Sequence, residues 1–229
     1  MIQNPIRKVL STMQEQGVRC LLMGGQACVF YGAAEFSRDT DLALQAEPEN
    51  LKRLQQALDE LEAEVIAVPP FDPDYLHRGH AVHFRCHHVE AQRMRIDVMS
   101  NMRGVAEFPE LWERRSVVEV EPGEHYDLMG LADLVCAKKT QRDKDWPMIR
   151  RLIEANYQER REHPEPGDLE LWFLESRTPA LLIELAERFP SALEDLSPRR
   201  HLLTMLTSAE LEDIEAELAA EELRERAAD

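Results

Sequence analysis

The chain has 229 residues, 44% of them hydrophobic, and a formal net charge of −17, enough for one substantial core with an appendage or for two small ones. Such an acid excess speaks against a broad grip on duplex DNA, which rests on many Lys and Arg contacts to phosphate, but it leaves room for a local basic patch that meets a nucleotide or an RNA end. No run is long and apolar enough to cross a bilayer, and Met1-Ile2-Gln3-Asn4-Pro5 lacks a basic stretch leading into an apolar core, so a cytoplasmic protein with no membrane partner is expected.

In chain order, Ile6, Val9, Leu10 and Met13 recur at helical spacing over residues 6–16, and Gly17 follows as a stop. Val18 to Met23 is a short, mostly apolar run that reads as a strand. Gln26 to Tyr31 reads as the first turns of a helix, and a strand runs from Asp39 through Leu42 and Leu44. Pro48-Glu49-Asn50 opens a helix whose Leu51, Leu54, Leu58 and Leu61 form one stripe, read as core packing. Strands are expected at Val65 to Val68, Ala81 to Arg85 and Met94 to Met99, then a short helix from Phe108 and a last strand at Val117 to Val120. Helices follow at Leu128 to Lys139 and Trp146 to Tyr157, and beyond residue 163 the pattern is helical throughout, at Leu169 to Glu175, Pro179 to Phe189 and Ala209 to Arg226 after the cap Ser208. The predicted fold class is α+β, a mixed sheet flanked by helices with a helical C-terminal extension. His163-Pro164-Glu165-Pro166-Gly167 is the linker candidate, dividing a core of residues 1–162 from an extension of residues 163–229.

The segment most informative about chemistry is Met23-Gly24-Gly25-Gln26-Ala27, followed fourteen residues after Gly25 by Asp39-Thr40-Asp41. Adjacent glycines between a strand and a helix remove the Cβ atoms that keep a phosphate away, and the free N–H groups at the helix start are donors to it. Residues two apart on a strand face the same way, roughly 6–7 Å apart, so Asp39 and Asp41 can converge on one hard cation such as Mg²⁺. Arg95-Ile96-Asp97-Val98-Met99 alternates, placing a third acid, Asp97, opposite Ile96 and Val98. Three acids on neighbouring strands repel one another, which calls for a bound cation or a raised pKa.

From Gly24 to Leu42 the sequence resembles the DNA polymerase beta-like nucleotidyltransferase superfamily, in particular small bacterial members related to abortive-infection toxins. The residues carrying the resemblance are Gly24, Gly25, Ala27, Gly32, Ser37, Arg38, Asp39, Asp41 and Leu42, then Asp97, and less specifically Leu131-Ala132-Asp133-Leu134 through Lys138, Lys139, Arg142, Lys144 and Asp145. The resemblance covers roughly the first 155 residues. It implies a nucleotidyltransferase-like core with Asp39, Asp41 and Asp97 as catalytic, metal-holding acids for Mg²⁺ or Mn²⁺. It also implies an NTP substrate cradled by Gly24, Gly25, Ser37 and Arg38 with help from Lys138, Lys139 or Lys144. The acceptor is left open among a protein hydroxyl, an RNA end and a small molecule. Glu35 stands where many relatives carry Arg, and Thr40 where they carry an apolar residue. Those departures favour an alternative, a catalytically inactive binding or regulatory protein of the same fold, such as a toxin–antitoxin component. A second register, pairing Asp41 with Ala43, would leave a degenerate site, but it misplaces Ser37 and Arg38.

His77, His80, His83, His87 and His88 read as structural or surface residues, since no Cys pair completes a zinc site. Cys20, Cys28, Cys86 and Cys136 have no Cys-x-x-Cys spacing and read as reduced thiols. Lys138, Lys139, Arg142 and Lys144 also suit a helix C-terminus, where cations offset the dipole. The acid-rich last helix carries Leu206, Leu211, Ile214 and Leu218 as an apolar stripe, which predicts packing rather than disorder.

Overall fold

The computed structural model describes residues 4–228; Met1 to Gln3, part of the N-terminal reading above, lie outside them. The chain falls into two compact units, Met1–Phe30 with Ala34–Ala137, and Tyr31–Ala33 with Lys138–Asp229.

The first unit is α+β. Helix α1 (Asn4–Glu15) leads into β1 (Cys20–Met23), which passes without a loop into α2 (Gly24–Phe30); β2 (Asp39–Leu44) and α3 (Pro48–Glu60) follow. Then come β3 (Glu64–Val65), α4 (Pro73–His77), β4 (Val82–Arg85), β5 (Arg95–Met99), α5 (Phe108–Glu113), β6 (Ser116–Glu121), β7 (Glu124–Leu128) and α6 (Leu131–Lys138). Among the described residues the strands form one seven-stranded mixed sheet in the order β3-β4-β5-β2-β1-β7-β6. β2 runs antiparallel to β1 and parallel to β5.

Side chains alternate across a strand, so Leu22, Leu42, Leu44, Ile96 and Val98 share one face, where they are buried with Leu10, Met13, Leu54 and Leu58 of the apolar helix stripes. Asn50 ties that layer to the sheet: its side chain accepts from Arg19 N at 2.7 Å and donates to the carbonyls of Arg19 at 3.0 Å and Gln45 at 2.8 Å. Backbone groups just before β1 and just after β2 thus gain side-chain partners where the ladder ends.

Val117 to Val120 was expected as the last strand, yet β6 continues through the turn at Pro122-Gly123 into β7, with Val118 opposite Tyr126 and Ser116 opposite Leu128. Gly123 takes φ +85° there, which glycine adopts without strain. The segment expected as a strand to Val68 pairs at Glu64 and Val65, with one further bond from Ile66 N to His83 O at 2.9 Å, and ends ahead of Pro69 and Pro70, which offer no N–H to a ladder.

The second unit is helical: α7 (Trp146–Arg160), α8 (Asp168–Glu175), α9 (Pro179–Arg188), α10 (Pro190–Leu196) and α11 (Leu211–Ala228). Apart from Tyr31–Ala33 it comprises the chain from Lys138 onward, ahead of the expected boundary at residue 163. The Pro164–Pro166 segment is a turn between packed helices. Across it the rings of Tyr157 and Trp172 meet edge-on at 5.0 Å, and Trp172 Nε1 donates to Asn156 Oδ1 at 2.7 Å. Arg200, 6% exposed, donates to the carbonyls of Phe173 and Ser176 at 2.7 and 3.0 Å and to Glu221 Oε2 at 2.6 Å. The charges of α11 therefore contribute to packing inside this unit.

The four cysteines are free thiols, Cys28 and Cys86 buried and Cys20 and Cys136 half-buried. Among the described residues no helix is long and apolar enough to cross a membrane.

Candidate functional site

The expected acids come together in the first unit. Asp39 and Asp41 stand two apart on β2, and the parallel pairing with β5 sets Asp41 beside Asp97 and Asp39 beside Arg95. On the other side of β2, Asp41 is paired with Met23, the residue before Gly24. Neighbouring strands lie about 4.8 Å apart, so the sheet brings three carboxylates and the α2 start to one face.

Gly24 sits at φ +65°, and a Cβ built on it would lie 1.8 Å from Asp41 Oδ2; one built on Gly25 would lie 2.7 Å from Ser37 Oγ. Asp41 and Ser37 occupy the clearance, and the glycines are what admit the acid to the backbone. Gly25 N–H points at Asp41 Oδ2 over 3.4 Å, and Ser37 Oγ donates to Asp39 O at 3.1 Å, which ties the 35–38 loop to the start of β2. Next to the turn, Gln26 is 2% exposed and its Oε1 has no hydrogen-bond partner. Arg38 and Glu35 are exposed, as is Phe36.

Asp97 does not stand alone. Arg95 Nε donates to its Oδ1 at 2.7 Å, and His83 Nδ1 lies 2.9 Å from the same oxygen and 3.1 Å from Arg95 Nη2. One ring nitrogen serves only one of these partners at a time: protonated it donates to Asp97, bare it accepts from Arg95. The guanidinium is held charged, its pKa raised first by the Asp97 hydrogen bond and further by the charges of Asp97, Asp39 and Asp41 against the opposing effect of burial. Two carboxylates about 5 Å apart repel by roughly 3 kcal/mol at an effective dielectric of 20. The cation that this repulsion requires is present within the chain, two residues before Asp97. Arg95 and His83 were not among the expected site residues. The signal for Arg95 was its two-residue spacing from Asp97, which puts both on one strand face.

A hard divalent cation suits this donor set, since carboxylate oxygens are its preferred ligands. The arrangement fits it only in part. Among the described residues no three His, Cys, Asp or Glu side chains are grouped to hold a metal ion, and Oδ1 of Asp97 is already hydrogen-bonded.

The expected lysines lie in the second unit, where two of them have carboxylate partners. Lys139 Nζ sits 2.7 Å from Glu175 Oε2 and 3.0 Å from Glu225 Oε1. Burial works against its charge, yet those two carboxylates raise its pKa above the ordinary value. Lys138 is 3.5 Å from Asp145 Oδ1, and Arg142 Nε donates to Asp145 Oδ2 at 2.8 Å, while Lys144 is exposed. Asp145 is 2% exposed and also accepts from Thr140 Oγ1 at 2.7 Å. Lys138 and Arg142 thus neutralise a buried acid at the start of α7, while Lys139 meets acids of α8 and α11. Searches against family models and against curated proteins gave no match to this chain.

Proposed function

We propose that the protein is a Mg²⁺-dependent nucleotidyltransferase that moves a nucleoside monophosphate from an NTP to an acceptor hydroxyl. The observation that carries this reading is the register of β2 against β5, with Asp41 directly beside Asp97 and Asp39 on the same face, next to a glycine turn. In the proposed reaction the acceptor oxygen bonds to the α-phosphorus, the bond from that phosphorus to the bridging oxygen breaks, and pyrophosphate leaves with the bonding pair. Asp39 and Asp41 would hold Mg²⁺, which supplies Lewis-acid polarisation of the α-phosphate. Asp97 Oδ2, the oxygen not engaged by Arg95, would take the acceptor proton. Gly25 N–H, Ser37 and Arg38, beside the start of α2, would be the donors to the phosphates.

The engagement of Asp97 by Arg95 favours a second reading, a nucleotide-binding regulatory protein that does not turn over, as in a toxin–antitoxin pair. Incubation with α-³²P-labelled ATP, CTP, GTP and UTP in Mg²⁺ separates the two. Release of pyrophosphate and label on an acceptor, lost in Asp39→Asn and Asp41→Asn, supports the enzyme. Saturable NTP binding without turnover supports the regulator. Turnover at the parent's rate in either Asn variant overturns the site assignment.

A further inference from the structure

The first unit holds a cavity of about 320 Å³, room for roughly ten groups the size of a water molecule at ~30 Å³ each, with Leu22, Leu42 and Tyr126 lining it from the sheet face opposite the acids. Its origin is topological. β1 and β7 run parallel but pair only at Leu22 and Leu128, so the ladder does not close the space bounded by Cys20, Tyr126 and α1. Leu10, Met13, Leu22 and Leu42 make apolar walls.

Arg19, Arg53 and Trp112 line the same cavity. The Arg19 guanidinium lies 4.7 Å from the centre of the Trp112 ring, and its side-chain hydrogen bond goes to the neutral Gln45 at 3.3 Å. Arg53 donates to the Gly17 carbonyl at 3.3 Å, with Glu49 no nearer than 3.9 Å. Asp127 is the carboxylate in the lining, and Arg115 holds it at 2.7 Å while lying 4.2 Å from the same indole. Arg19, whose side chain among the described residues meets only Gln45 and Trp112, and Arg53, with only a long 3.9 Å pair to Glu49, therefore line an apolar hollow in a protein whose net charge is −17. Burial and the charge of Asp127 push the Cys20 thiol up to about 12, so the cysteine in the wall is no nucleophile at neutral pH.

We infer that this cavity is a binding site for a small organic carboxylate, its aliphatic or aromatic body against Leu10, Met13, Leu22 and Leu42 and its head group between Arg19 and Arg53. Arginine binds a carboxylate with two parallel hydrogen bonds, and the indole beside it favours a flat or extended body. The site is independent of the acid cluster and does not rest on nucleotide transfer.

The test uses the full chain with octanoate, octanol and octyl phosphate, followed by titration calorimetry and by tryptophan fluorescence. Octanoate is expected to bind saturably at one site, with octanol at least about tenfold weaker; octyl phosphate binding more tightly than octanoate would make the head group a phosphate and overturn the carboxylate assignment. Arg19 and Arg53 are exposed, so Arg19→Gln and Arg53→Gln should melt like the parent and each weaken octanoate about fivefold or more. Trp112→Phe should abolish the fluorescence response while the calorimetric heat remains. Equal binding of octanol and octanoate would reduce the cavity to an apolar crevice and overturn the inference. So would unchanged octanoate affinity in both Gln variants, or no saturable binding of octanoate up to its solubility limit.

Discussion

Thr40→Val is expected to make the protein more stable, although it deletes a polar group from the strand that carries Asp39 and Asp41. Thr40 has no exposed surface, it faces the same side of β2 as Leu42 and Leu44, and its hydroxyl lacks a hydrogen-bond partner. Leaving a buried hydroxyl unpartnered costs ~1–3 kcal/mol, because its bonds to water are lost and not replaced. Valine keeps the branched shape and the strand preference and puts a methyl where the hydroxyl was. Taking the middle of that range, a gain of ~2 kcal/mol corresponds to a rise of roughly 4–8 °C in Tm for a chain of this size. Urea unfolding followed by far-ultraviolet circular dichroism should show a higher midpoint with an unchanged slope. Thr40→Ser serves as the control. It keeps the hydroxyl and loses the methyl, so its midpoint should fall below the parent's. A Thr40→Val midpoint below the parent's would mean that the hydroxyl has a partner, and the cost assigned to it would be wrong.

Arg95→Gln removes the cation among three carboxylates, so the metal-free protein should melt lower at low salt, and millimolar Mg²⁺ or Mn²⁺ should raise its Tm by more than it raises the parent's; equal shifts would show that Arg95 does not compete for that site. In the second unit, burial opposes the charge of Glu221, but the Arg200 hydrogen bond and the charges of Arg200, Arg177 and Arg224 hold its pKa below the ordinary 4.5. A lowered folded pKa gives stability that is present above about pH 4.5 and is lost as pH falls through the lowered value. Glu221→Gln should therefore flatten the acid limb of a Tm-versus-pH curve, and an unchanged limb would count against the assignment. A fragment ending at Glu162 keeps Tyr157 but loses Trp172, so it should aggregate more than one ending at Lys138; sedimentation of both at equal concentration checks this.

What the sequence revealed about the site follows from two periodicities. Asp39 and Asp41 two apart, with Asp97 in an alternating strand, were legible because side-chain direction on a strand is local geometry. The pairing of β2 with β5 was not, since strand order depends on long-range packing that no window of residues contains. The glycines were found for their missing Cβ, but that the vacated space would hold Asp41 and Ser37 depends on how β2 docks against α2. Strand β7 was missed although Pro122-Gly123 signals a hairpin turn and Tyr126 and Leu128 alternate with polar residues. The prolines at 164 and 166 looked like a linker because they stop a helix, and they do; the Tyr157–Trp172 contact across them comes from residues outside that segment, seven positions before Pro164 and six after Pro166.

The single pair joining β1 to β7 has a consequence for how the sheet comes apart. From β3 to β1 each strand is joined to the next by two or more residue pairs, and the β6–β7 hairpin is laddered within itself, but Leu22 and Leu128 alone connect the two groups in the sheet. Away from that seam, Arg7 of α1 clamps the hairpin through Glu121 at 2.6 Å and through Glu124. An exposed ion pair of this kind weakens as salt screens it. Amide protons along β6 and the first half of β7 should then exchange through an opening that leaves β1, β2 and β5 protected, and that opening should become more frequent as ionic strength rises. The acids on β2 and β5 should then exchange with the slow part of the unit, and the cavity beside Cys20 and Tyr126 with its looser edge.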